Sequence, residues 1–189
     1  LSESGGDMAY LLARRFSQVL SRQSVRRFLE DNGVPGPRVD DPCSVHPAEM
    51  YIRPPLGDGI LAGDLLREAV GRGSEGGYWV VLTPSCDLEQ GKAERVLLAA
   101  CTPLDREAEY ETFASSIGNG GAPSKNAKKS LASIMRNNRE KSQSSRFHFL
   151  PGFLDTPHLV IDFQHLVHFP LSVAQRMDRV ASLDAPFAE

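Results

Sequence analysis

Two apolar runs lying close together constrain this chain more than any other feature. In "YWVVLTPSCDLEQGKAERVLLAAC", Tyr78 to Cys101, one short polar connection separates the apolar segments Tyr78–Thr83 and Arg95–Thr102. Each is the length of a strand and too continuously apolar for one wet face, so a central pair covered on both sides is expected. Partners for such a pair are expected in the last third of the chain, at Arg146–Leu150, His158–Phe163 and Leu166–Leu171, with "PGFLDTP" as a turn between the first two. Residues 34–59 are rich in Pro and Gly and leave room only for a short extended piece at Glu49–Arg53.

Helices are expected around these strands. Met8, Leu11, Leu12, Phe16, Val19 and Leu20 recur at helical spacing, and Asn32-Gly33 followed by Pro35 supplies a stop. The outer face of this long N-terminal helix carries Arg14, Arg15, Arg22, Arg26 and Arg27. "ILAGDLLREAVGRG" reads as a short helix starting near Asp64 and ending at Gly71 or Gly73. Asp105–Phe113 reads as another, "SSIGNGGAPS" as a break, and "KNAKKSLASIMRNNREKSQSSR" as a helix whose strong apolar positions are Leu131, Ile134 and Met135. There is no regular β-α-β alternation and no Gly-rich phosphate loop, which argues against a doubly wound nucleotide fold. The expected class is therefore α+β: a small antiparallel β-barrel or sheet, with an N-terminal long helix and a helical, basic insertion. Residues 1–33 would be a helix or linker to an upstream module, and 34–189 the barrel domain with its insertion at about 105–145.

A net charge of −3 gives no global attraction to nucleic acid or anionic lipid, and no run approaches the roughly 18 to 20 apolar residues a bilayer span requires. Three cysteines without regular spacing do not form a disulfide framework and fit a reducing cytoplasm. The start at Leu1 and the stop within "SLDAPFAE", where an amphipathic segment begins, fit a piece of a longer protein. No cofactor is expected.

Three groups of residues could carry chemistry. Cys86, at the end of the first apolar run and followed by Asp87, is either a small buried residue in a tight turn or a reactive thiol. A nucleophile would need a cation or imidazole to lower its pKa, and Asp87 does the opposite, so His148, His158, His165 or His168 would have to approach through the fold. Cys43-x-x-His46 and His165-x-x-His168 offer close-spaced zinc ligands, although a three-residue offset in a regular strand sends side chains to opposite faces. Between Ser124 and Arg146 stand Lys125, Lys128, Lys129, Arg136, Arg139, Lys141 and Arg146 against Glu140 alone. That is seven cations against one acid, a local balance of +6, so the remainder of a chain with net −3 carries −9. Such a segment is a solvated, mobile insertion, a dock for an acidic protein face, or a grip on phosphates; little aromatic interleaving speaks against base stacking. Asp162, inside "HLVIDF", must face solvent or find a partner.

The strand-end residues Thr83, Pro84, Ser85, Cys86, Asp87 and Leu88 resemble a turn of uncharacterised bacterial small β-barrel domains: an apolar strand, a Ser/Thr-x-x-Cys-Asp-Ile/Leu turn, then a second apolar strand. The tail "RVASLDAPFAE" is similar to their C-terminal part. Domains of this kind stand beside receiver-like signalling modules in bacterial stress and phage-defence proteins. The resemblance covers these two patches and implies an SH3-like barrel with a regulatory role and no catalytic residues. The resulting expectation is a non-enzymatic output or interaction domain of a larger bacterial cytosolic signalling or defence protein, binding a protein partner or its own upstream domain. The rivals are a cysteine- or metal-dependent enzyme around Cys86 and a histidine, and a nucleic-acid-binding module using 125–146.

Overall fold

The fold is taken from a computed structural model that describes residues 31, 47, 50–55, 57–68, 76–118, 122–139 and 145–184. These belong, apart from Asp31, to the second of two units into which the chain divides, Pro47–Glu189. The expected N-terminal helix, beyond Asp31, lies outside the described residues, as do Cys43, His46 and Lys141.

The second unit is α+β. Among its described residues, seven antiparallel strands form one curled sheet, a half-barrel, accompanied by four helices. In chain order these are β1 (Tyr51–Ile52), β2 (Asp64–Arg67), β3 (Tyr78–Val81), α1 (Ser85–Glu89), β4 (Arg95–Pro103), a 3-10 turn (Leu104–Arg106), α2 (Ala108–Gly118), α3 (Lys125–Met135), β5 (Phe147–Leu150), β6 (Leu159–Pro170), α4 (Leu171–Ala174) and β7 (Asp178–Leu183). Across the sheet the order is β1-β7-β2-β3-β4-β6-β5. No described helix is long and apolar enough to cross a membrane.

The expected central pair is β3–β4. Val80 lies opposite Ala99 and Val81 opposite Leu98, and all four are buried, so both faces of the pair are covered. On one face Leu66, Val81, Val96 and Leu98 pack with Ala174 and Met177 from α4 and the turn after it. Farther along the sheet, Ile134 of α3 packs on Phe149 of β5 and Val160 of β6 beside Leu104. The opposite face holds Leu65, Val80, Ala99, Cys101 and Ile161, linked by register through β2, β3, β4 and β6. Burial pushes the Cys101 thiol up to about 12, which leaves it an inert core residue. The curl brings the two ends of the sheet together. From β1, the Tyr51 hydroxyl donates to the Pro151 carbonyl just after β5 (2.8 Å), and its ring stacks on Phe153. Arg53 pairs with Asp155 across the same seam.

Three expectations need correction. The segment read as a helix from Ile60 contains a strand, β2. Its backbone pairs with β3 on one side and β7 on the other, and Leu65 and Leu66 are buried on opposite faces. Pairing along both edges outweighs the weak helical preference of so short a run. Asp64, read as a helix start, is fully buried and accepts from Leu61 N (2.8 Å), Ser182 Oγ (2.5 Å) and Arg179 Nε (2.9 Å). Second, Leu159–Pro170 is one long strand. Its register against β4 jumps from Asp162 opposite Ala100 to Leu166 opposite Ala99, so that Phe163, Gln164 and His165 form a bulge. That bulge interrupts the alternation and makes one strand read as two. Third, β7 was not anticipated, because its pairing with β2 and β1 is remote in sequence.

Candidate functional site

The connection between β3 and β4 folds as a single helical turn, α1, instead of a tight turn around a buried cysteine. Pro84 precedes it, and Gly91, at φ +64, ends it with Lys92 N donating to Asp87 O (2.9 Å) and Gly91 N to Leu88 O (3.2 Å). Cys86 is exposed, and its Sγ lies 3.9 Å from Asp87 Oδ1. Its neighbours hold the connection. Thr83 Oγ1 accepts from Leu97 N (2.7 Å), Ser85 Oγ accepts from Ala62 N (3.0 Å), and Leu88 packs against the core beneath α4. The reading of Cys86 as a small buried turn residue is thus overturned; Thr83 and Ser85 do that work.

Three of the four described histidines are engaged elsewhere. Asn137 Nδ2 donates to His148 Nδ1 (3.2 Å), and Gly152 N donates to His158 Nδ1 (2.8 Å) while that ring stacks on Phe149. His165, in the bulge of β6, meets Trp79 edge to face, and His168 is exposed. Among the described residues no histidine is hydrogen-bonded to Cys86, and no three His, Cys, Asp or Glu side chains gather as a metal site. An open cleft of about 180 Å³ beside α1, lined by Asp58, Ile60, Leu88, Glu89 and Gln175 among others, contains neither Cys86 nor a histidine.

The described cations of the basic segment split into two sets. The expected helix over 125–146 stops at Met135, where Asn137 adopts a left-handed conformation (φ 53). Asn137 N donates to Ile134 O (2.9 Å) and Asn138 N to Ser133 O (2.8 Å), the helix-ending pattern usually given to Gly. Asn serves here because its side chain has a second task. Its Oδ1 accepts from Phe149 N (2.6 Å), a backbone donor on the outer edge of β5, while its Nδ2 holds His148. That bond to Nδ1 puts the imidazole proton on Nε2, and burial lowers the His148 pKa, favouring the same neutral form.

The first set of cations is locked. Arg139 donates to both oxygens of Glu109 (2.8 Å each) and to Glu107 Oε2 (2.6 Å), tying the end of the basic segment back to the start of α2. Arg146 grips Asp162 on β6 with two bonds of 3.0 Å. Those bonds hold the Asp162 carboxyl below the usual carboxylate range and supply the partner that its place in an apolar strand demanded. Both guanidinium groups lie over the Phe147 ring, Arg139 at 4.7 Å and Arg146 at 4.5 Å from its centre. The second set stands on α3 and on Arg136, the residue that closes its C-terminal end. Ser124 caps the helix by accepting from Ala127 N (3.1 Å), and Ala127, Leu131 and Ile134, at helical spacing, form its inner side, with Leu131 and Ile134 packed toward the sheet. Lys125, Lys128, Lys129 and Arg136 point the other way; all four are exposed and form no ion pair among the described residues.

No family model, no curated protein and no solved structure matches this chain. The site therefore rests on its own geometry. Sequence reading found the cations but grouped all seven together. It missed Glu107 and Glu109 as the partners of Arg139, and Asn137 altogether. The only available signal was the Asn137-Asn138 pair after an apolar helix face, which marks a helix stop.

Proposed function

We propose that this chain is a non-enzymatic interaction domain of a larger bacterial cytosolic signalling or defence protein, and that it docks its partner through the outward face of α3. An SH3-like barrel is the finer fold this reading carries. One observation bears most of the weight: the four cations left unneutralised stand together on a helix whose other face is packed and whose end is fastened. Ile134 seats α3 on β5 and β6, and the Arg139 bonds to Glu107 and Glu109 hold the chain that follows. A pre-organised face loses less side-chain and backbone freedom on binding than a mobile basic tail. The exposed Cys86, with Asp87 beside it, lies outside this face and has no part in the reading.

The test is fluorescence anisotropy of labelled poly-glutamate against the full chain at low and high salt. Binding should weaken with salt and be lost on reversing Lys125, Lys128, Lys129 and Arg136 together to Glu, while Cys86→Ser leaves it unchanged. Binding indifferent to the four reversals, or abolished by Cys86→Ser in a folded protein, would defeat the proposal.

A further inference from the structure

The chemistry of the α3 face selects between an acidic protein segment and a nucleic acid. We infer that its partner is an acidic polypeptide segment carrying an apolar side chain, which lays its carboxylates along Lys125, Lys129 and Arg136 and its apolar group on Met135. The inference rests on the docking function proposed above and specifies the partner.

Three observations on α3 carry it. First, the geometry of the cations is linear. Lys125, Lys129 and Arg136 are separated by four and seven residues, one and two helical turns, so they form a stripe along the helix. The stripe is about 16 Å long, the reach of about five residues of extended polypeptide. Second, the flank of that stripe is apolar. Met135, 48% exposed, follows Lys128 by seven residues, and half-buried Leu131 lies between them on the same flank. A flexible, polarisable thioether beside cations suits an apolar side chain within an acidic peptide, and it has no counterpart in a phosphate backbone. Third, two of the three described arginines of the segment, the groups best suited to phosphate, are already committed. Arginine forks bind phosphate with two parallel bonds, and in this segment Arg139 and Arg146 spend theirs on Glu109, Glu107 and Asp162. The exposed residues of α3 include no aromatic ring on which a base could stack. What remains is three lysine point charges and one arginine beside an apolar patch. Opposite charge draws an acidic segment in, and the contact with Met135 discriminates among acidic segments.

The experiment compares three labelled probes by anisotropy against the full chain: poly-glutamate, an equally charged peptide with a leucine after every two glutamates, and single-stranded oligothymidylate. The leucine-bearing peptide is expected to bind about five- to tenfold more tightly than poly-glutamate, the gain from partly burying one large apolar side chain. Met135→Ser should erase that advantage and leave poly-glutamate binding as it was. Lys129→Glu with Arg136→Glu should weaken both peptides by about tenfold or more. Equal affinity for the two peptides, or tighter binding of oligothymidylate than of either, overturns the assignment of the partner while leaving the docking face in place. Failure of all three probes to respond to the charge reversals overturns the docking face itself.

Discussion

The β3–α1–β4 connection and the corner where α3 meets β5 make opposite use of their conspicuous residues. In the first, the eye is drawn to Cys86-Asp87, yet that thiol points to solvent and the connection is held by two neighbouring hydroxyls and a leucine. In the second, a run of basic residues that reads as a loose insertion contains the ion pairs, cation–ring contacts and edge bond that fix a helix to a sheet. Residue type announces possible chemistry; burial and partners decide whether it is used.

Measurements of stability can break this comparison or sharpen it. The largest effect is expected from Ile134→Ala, since the side chain fills the space between α3, Phe149 and Val160. It should cost about 2 to 5 kcal/mol in denaturant unfolding, and a loss under 1 kcal/mol would mean that α3 is not seated as described. Arg139→Ala comes next, at about 1.5 to 3 kcal/mol, because it leaves Glu107 and Glu109 half-buried beside each other without their cation. Glu109→Gln should cost less than Arg139→Ala, since Glu107 still holds the guanidinium; equal losses would show that one carboxylate does all the holding. Asn137→Ala should cost about 1 to 3 kcal/mol, losing both the acceptor for Phe149 N and a residue tolerant of positive φ. Asn137→Gly keeps the backbone and loses only the side chain. If it is as costly as Ala, the edge bond matters more than the helix stop.

A smaller effect depends on pH. The folded pKa of His148 is lowered by burial, so below its unfolded value, about 6.5, the unfolded state binds the proton more readily. Stability contributed by the neutral ring is fully present above that pH and falls away as pH drops toward and past the folded value. The His148→Asn variant should lack this acid-side loss below pH 6.5. Parallel curves for the two proteins would place the titration elsewhere. The smallest effect belongs to the other region: Cys86→Ser should shift stability by less than about 0.5 kcal/mol, as an exposed side chain outside the packing allows. A larger loss would reverse the contrast between the two regions.

How much of this was legible in the sequence follows from the range of each interaction. The central strands were, because Val80, Val81, Leu98 and Ala99 bury on both faces and continuous apolarity records that directly. The inner face of α3 was, through the spacing of Leu131 and Ile134, and so was the need of Asp162 for a partner. β2 was not, since a four-residue strand between two partners has no pattern of its own and takes its form from β3 and β7.

The sequence by itself determined which segments are apolar enough to be buried, where chain direction must change, and where positive charge accumulates. These depend on neighbours a few residues apart, whose chemistry is written in order along the chain. Only the tertiary structure decided which charges remain available. Arg139 meets Glu109 across 30 residues, Arg146 meets Asp162 across 16, and Arg179 meets Asp64 across 115. Neutralisation is set by distance in space, which falls off with no regard to separation along the chain. The cations of α3 face outward and, among the described residues, meet no carboxylate.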